Sequence, residues 1–245
     1  MKFCYPATIA LTAVATIAQA ADFCGPSRND YDSIQAGQYK IYHGSGEISG
    51  QLCSAVDSFT DHTVAFHTNA NIPETSSGGT NNLNPVTFAA AQLLADSKRV
   101  GEIKSIPVTL YHEYTFDGKL SANVGLSLTV GPVDYTYSPL EILVWMTGYG
   151  DYIPASVTQS TDSVVIGGRE YDRYRLPSPA KSIWYVPRMA MPAITDDLYP
   201  FINDSIFISA GITFNDYVHK VQAVTNIITA ANAKLTVTNF TAEIL

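Results

Sequence analysis

One carboxylate interrupts an apolar run at residues 140–146, Leu-Glu-Ile-Leu-Val-Trp-Met. In an extended chain alternate side chains share a face. Glu141, Leu143 and Trp145 therefore point one way, and Ile142, Val144 and Met146 the other. The second set is an ordinary core face. The first puts a carboxylate and an indole on one surface. An indole offers a flat platform for a sugar ring, and a carboxylate can reach the ring's reactive carbon. All-β proteins cleave glycans in this way when a second carboxyl group stands about 5–5.5 Å from the first. The plain alternative is a glutamate at a solvated strand end, or one paired with Lys or Arg. The five histidines show no metal-ligand spacing, so no metal or other cofactor is expected. No Gly-x-Ser-x-Gly, phosphate-loop or dinucleotide motif occurs either.

The elements that would carry such a face are strands. Period-2 segments run through residues 38–44, 62–70, 101–116, 119–130, 140–146, 162–176, 181–187 and 233–245. Gly, Pro, Asn, Asp and Ser clusters bound most of them. Phe-Asp-Gly-Lys-Leu (116–120) and Ile-Gly-Gly-Arg-Glu (166–170) suit hairpin turns. Residues 86–97 have helical composition, although a strand is also compatible there. Residues 195–206 suit a helix, with Thr195 as N-cap and Pro200 limiting its length. Many short strands with one short helix predict an all-β, two-sheet sandwich of jelly-roll type.

The first 20 residues carry Lys2, an apolar run and Ala18-Gln19-Ala20, which reads as a secretory signal peptide. The run is shorter than the ~20 residues that span a membrane. One domain over 21–245 is expected, in a secreted, extracellular protein that acts as a monomer. Without Lys2 the chain has 13 basic against 22 acidic residues, a net charge near −9. Nucleic acid and anionic membranes are poor partners for it, whereas a neutral polysaccharide is compatible. Of the three cysteines, Cys24 and Cys53 remain after cleavage. An even pair in an oxidising compartment predicts a disulfide closing about 30 residues, worth roughly 3–4 kcal/mol; two free buried thiols are the alternative. Asn203-Asp204-Ser205 and Asn239-Phe240-Thr241 are N-glycosylation sequons.

Several segments together resemble a known family. Residues 140–156, LEILVWMTGYGDYIPAS, are similar to the signature of glycoside hydrolase family 12, in which Glu, an aliphatic residue and Met-Ile-Trp precede a glycine turn and a Pro-Ile-Gly/Ser segment. FCGPS with Cys53 resembles the family's early disulfide. VAFHT resembles its Trp-His-Thr strand, and VGEIKSIPVTLYHEYTF its central strand. QAVTNIITAANAKLTVTNFTAEI resembles its C-terminal segment. The resemblance implies a curved jelly roll, secretion, and retaining cleavage of β-1,4-glucan or xyloglucan without a metal. It implies β-glucan as partner, and in a plant-wall setting an inhibitor or receptor protein.

By the same resemblance Glu141 occupies the nucleophile position and Asn226 the position of the acid/base glutamate. Trp145, Leu143, Ser127, Phe66 and Pro154 fall at substrate-binding or supporting positions. Ser127 replaces the aspartate beside the nucleophile, Leu143 the signature methionine and Phe66 a tryptophan. Gly44, Ser45 and Gly46 stand where the family carries another sugar-stacking tryptophan. An amide neither releases nor accepts a proton near neutral pH, and general acid/base help is worth typically 10²–10⁴-fold. The expectation is a family member with impaired hydrolysis. An active retaining endoglucanase is the first alternative, and a non-catalytic interaction or decoy protein the second.

Overall fold

The computed structural model describes residues 22–24, 33–45, 50–74, 87–134, 139–150, 162–176, 181–208 and 210–245. Among these residues the chain forms a sandwich of strands with one α-helix. The signal-peptide segment and Pro154 lie outside the described residues.

The back sheet runs in the order β1 (Phe23–Cys24), β4 (Gln51–Phe59), β5 (Val64–Ile72), the C-terminal half of β15 (Tyr217–Ala242), β8 (Pro107–Thr115) and β14 (Ala193–Asp197). The other sheet carries Glu141. Its order is β2 (Ser33–Ala36), β3 (Tyr39–Ser45), β6 (Thr87–Leu93), the N-terminal half of β15, β9 (Leu120–Gly131), β10 (Leu140–Tyr149), β13 (Ser182–Pro187), β12 (Arg169–Leu176) and β11 (Asp162–Ile166). The short β7 (Lys98–Arg99) adds to β15 at Tyr217 and Val218. Every pair is antiparallel except β10 with β13.

Alternation decides which side chains fill the space between the sheets. Ile142, Val144 and Met146 of β10 meet Phe66 and Leu52 of the back sheet in one large core. The expected disulfide is present: Cys24 and Cys53 are bonded, with Cα atoms 4.2 Å apart, and pin β1 to β4. Residues 166–170 form the expected hairpin turn, with Gly167 and Gly168 at φ 58° and 77°. Only glycine takes two such angles in succession at little cost.

One local alternative is settled and one expectation corrected. Thr87–Leu93 form the strand β6 rather than a helix, because pairing with β3 on one side and β15 on the other satisfies its backbone. Ala91 and Leu93 of that strand then reach the core. The helix α1 (Tyr199–Phe207) begins later than Thr195, because Ala193–Asp197 pair with β8. Asp197 takes over the capping work. Its Oδ1 accepts from the N–H of Tyr199 at 2.9 Å and of Ile106 at 2.6 Å. Pro200 falls in the first turn, where a missing N–H is harmless.

The helix is tied to the sheet by a polar knot. Arg173, only 6% exposed, donates to Asp162 and to Asp204 of α1, and the Tyr185 hydroxyl donates to Asp204 at 2.7 Å. A buried charge of this kind is tolerable only when paired and hydrogen-bonded.

His112 has no such partners. It points into the core from β8, and neither ring nitrogen has a hydrogen-bond partner among the described residues. Burial pushes the imidazole down to about 4. The neutral form is favoured in the folded state, so the unfolded chain takes up a proton first as the pH falls below about 6.5. Stability is then lost down to the folded value, by about 3 kcal/mol in all. Urea unfolding of wild type and His112→Leu at pH 7 and pH 4 checks this. The difference in stability between the two proteins should shift by about that amount in favour of the leucine variant at pH 4.

Candidate functional site

The site lies on the face of its sheet turned away from the core. In β10, Glu141 pairs laterally with Thr129 of β9 and with Ser182 of β13. Leu143 pairs with Ser127 and Trp184, and Trp145 with Gly125. Leu143, Trp145, Trp184 and Val186 form a second apolar cluster, with Tyr174 and Val224 packed against it. The Trp145 and Trp184 rings meet edge to face with centroids 5.8 Å apart. Such pairs contribute about 0.5–1.5 kcal/mol beyond their burial. Trp145 is 1% exposed, so it is the foundation of this face rather than an open platform. It lies across Gly125, where an added Cβ would sit 2.8 Å from the Trp145 ring and 2.4 Å from the Val144 oxygen. Glycine is required there by close approach.

Glu141 is the exposed residue at the end of this row. The Ser127 hydroxyl donates to its Oε1 at 3.2 Å. The surrounding protein raises its pKa through desolvation; the Ser127 hydrogen bond and the charge of Lys220 oppose the shift without cancelling it. Solvent reaches the side chain on its open side, which limits how far the carboxyl is pushed. Ser127 therefore stands beside Glu141 as the resemblance implies, but as a neutral donor.

Asn226 lies further along the same face. The ladder carries Glu141 through Thr129 to Lys220 of β15, and Leu143 through Ser127 to Gln222. Asn226 pairs with Asn123, six residues along β9 from Thr129, or on the order of 20 Å along the strand at ~3.3 Å per residue. Val224, two residues before it, packs on the Leu143–Trp145 cluster that separates the two positions. Asn226 shares the face at its other end, 8% exposed, with its N–H bonded to the Asn123 side chain at 3.0 Å.

The positions across from Glu141 belong to Lys220 and Gln222, which motif reading passed over. Gln222 is 6% exposed, and its amide donates to the Tyr42 hydroxyl and, at 3.4 Å, to Gln92. Tyr42 in turn meets Phe88 edge-on at 5.8 Å. Phe66 is not on this face. It is 1% exposed in the core between the sheets, because β5 belongs to the back sheet and its even-numbered residues face inward. Asp172 lies on the site face of β12, but it holds Arg188 at 3.1 Å. Among the described residues no cluster of three or more His, Cys, Asp or Glu side chains could hold a metal.

The outer face of the sandwich thus sets a glutamate over an aromatic floor, a surface that could meet a sugar chain. Residues 39–245 match the model of glycosyl hydrolase family 12, and the chain belongs to that family. It is 27% identical over 238 residues to the inactive glycoside hydrolase XLP1 of Phytophthora nicotianae, covering 95% of each chain. It is 28% identical over 250 residues to xyloglucan-specific endo-β-1,4-glucanase A of Emericella nidulans, covering all of both. Among solved structures, Trichoderma harzianum endoglucanase 3 superposes with a TM-score of 0.76 at 21% identity, covering 93% of this chain and 100% of that one. The Humicola grisea Cel12A catalytic domain superposes with a TM-score of 0.77 at 15% identity, covering 92% and 99%. These last two likenesses establish the fold.

The raised pKa of Glu141 has a consequence for stability. The folded state holds the proton more tightly than the unfolded chain. Stability is therefore greatest at low pH and falls as pH rises through the ordinary carboxylate value toward the folded one. Glu141→Gln removes that loss. Its Tm should exceed that of wild type at pH 7, with the gap closing below pH 4. A thermal melt in which the variant is no more stable at pH 7 would contradict this account of the site.

Proposed function

We propose that this protein is a secreted, monomeric family 12 glycoside hydrolase homologue that binds β-1,4-glucan or xyloglucan and hydrolyses it poorly. The observation that carries the reading is the set of side chains across from Glu141: a lysine, a glutamine and a serine at Lys220, Gln222 and Ser127. Retaining hydrolysis splits into two steps. A carboxylate attacks the anomeric carbon while a second carboxyl protonates the departing sugar oxygen. That second group then takes a proton from water as it releases the covalent sugar. Glu141 has the position and exposure for the attack. Neither Gln222, nearest by ladder position, nor Asn226, placed by motif, can give up a proton. A sugar leaving group is poor without one, so the first step stalls.

Binding places weaker demands on the site. Glu141, Ser127, Gln222 and the edges of Tyr42 and Tyr174 offer hydrogen bonds and apolar surface to a sugar chain. Cleavage at the signal-peptide site after Ala20 and export are part of the same proposal, and the plant wall is the setting the family resemblance suggests. A plant inhibitor or receptor that engages active relatives is a second partner class. Similarity to the inactive glycoside hydrolase of Phytophthora nicotianae supports the impaired hydrolysis.

The test is reducing-sugar release from xyloglucan and β-glucan by the mature protein, alongside Gln222→Glu, Asn226→Glu and wild type with azide. Azide can attack the glycosyl intermediate without a general base. Wild type should release sugar at least ~10²-fold more slowly than an active family member, yet be retained by xyloglucan in affinity electrophoresis. Recovery of activity in one glutamate variant and not the other identifies the true acid/base seat. Wild-type turnover at ordinary enzyme rates that disappears in Glu141→Gln would falsify the impaired reading and establish an active endoglucanase.

A further inference from the structure

The outer face of the back sheet carries a cavity of about 510 Å³, on the opposite side of the sandwich from Glu141. Its walls come from β1, β4, β5 and the C-terminal half of β15, beside the Cys24–Cys53 disulfide. Four amides line it: Gln51, Asn69, Asn71 and Asn232. The strand register explains the gathering. Gln51 pairs with Asn71, and Asn69 pairs with both Cys53 and Lys234, so the amides project from neighbouring rows of one face. Asn232 joins them through a bulge in β15 between Ala230 and Ala233. Its φ of 46° is the left-handed conformation, taken by no other non-glycine residue among those described.

The side chains of Asn69, Asn71 and Asn232 make no hydrogen bond to another described residue. Gln51 makes only a 3.8 Å contact to the Cys53 sulfur. Three amides, Asn71 and Asn232 exposed and Asn69 half-buried, thus present their donors and acceptors to solvent around one open concavity of ligand-binding size. Lys234 and Asp22 also line it and offset each other in charge. The site is consequently not built for an anion or a metal ion. A neutral polyol matches it, because each hydroxyl both donates and accepts, as each amide does.

We propose that this amide pocket is a second, non-catalytic binding site for a neutral β-1,4-glucan chain. The identity of the sugar rests on the reading of the site face given above; the pocket itself does not. Among the described residues no aromatic side chain lines it, so the pocket alone binds weakly. Its effect is through avidity. A polymer held by both faces dissociates more slowly than one held by either.

The test is an NMR titration of the mature wild-type protein with cellohexaose. It follows the side-chain amide signals of Asn69, Asn71 and Asn232 together with the indole N–H signals of Trp145 and Trp184. Pocket amides that shift saturably in wild type, with the Asn232 amide no longer shifting in Asn69→Ala/Asn71→Ala while the indoles still respond, establish the second site. The same double variant should lose roughly 10-fold in retention on insoluble glucan. Pocket amides that stay still at saturating cellohexaose overturn the proposal, whatever the indoles do. Indoles that stay still while the amides move would instead overturn glucan binding at the site face. The wild-type titration needs no variant, so misfolding of the double variant would leave the proposal fully exposed to refutation.

Discussion

One strand serves both layers of this molecule. β15 extends unbroken from Tyr217 to Ala242, and its two halves are central members of different sheets. It changes sheet at irregularities near Ile227–Thr229 and Ala230–Ala233, where left-handed Asn232 lets the chain turn. A β-strand has a period of two, so a one-residue slip on either half would send its core residues to the surface. Val221, Ala223 and Ile227 of the first half and Leu235, Val237 and Phe240 of the second all lie in the core. The two sheets therefore lock each other's register through one backbone. Which β15 residue stands across from Glu141 is fixed by this coupling and not by the residue's own chemistry.

The same constraint places an energetic conflict at the site. Glu141 ends a row whose other members, Leu143, Trp145 and Trp184, are apolar and buried. Its carboxyl loses hydration and regains only a serine hydroxyl and a lysine charge at some distance. A carboxylate in such a place is held at a cost in stability. The apolar floor is well packed and needs no carboxylate to form, so the conflict belongs to ligand contact rather than to folding.

Much of this was legible in the chain. Alternation in residues 140–146 correctly assigned Glu141, Leu143 and Trp145 to one face, because a strand's two faces are written in its own sequence. The cysteine pair and the hairpin glycines Gly167 and Gly168 were equally local, whereas residues 116–120 link β8 and β9 of different sheets instead of forming the expected hairpin. What escaped were relations between distant segments. Residues 86–97 are rich in helix formers, but strands on both sides pull Thr87–Leu93 into the sheet. Phe66 matches a substrate-side motif position, yet its strand lies in the other sheet and it faces the core. Trp184 is plain in its strand, but the parallel pairing that sets it beside Leu143 joins segments some forty residues apart. The placing of Lys220 and Gln222 in line with Glu141 and Leu143 depends on pairing across about ninety residues, which no motif records.

Whether Asn226 or Gln222 stands opposite Glu141 across the face, the chemistry of the site is the same. If Asn226 holds the acid/base position, the group is an amide; if Gln222 holds it, the group is again an amide. Both can hydrogen-bond a glycosidic oxygen in the ground state, and neither can follow it to the transition state with a proton. Interactions that hold substrate and transition state equally lower the concentration needed for binding without accelerating the chemical step. On the proposed reading, a face with one desolvated carboxylate, an aromatic floor and fixed amides grips a glucan chain and leaves it whole.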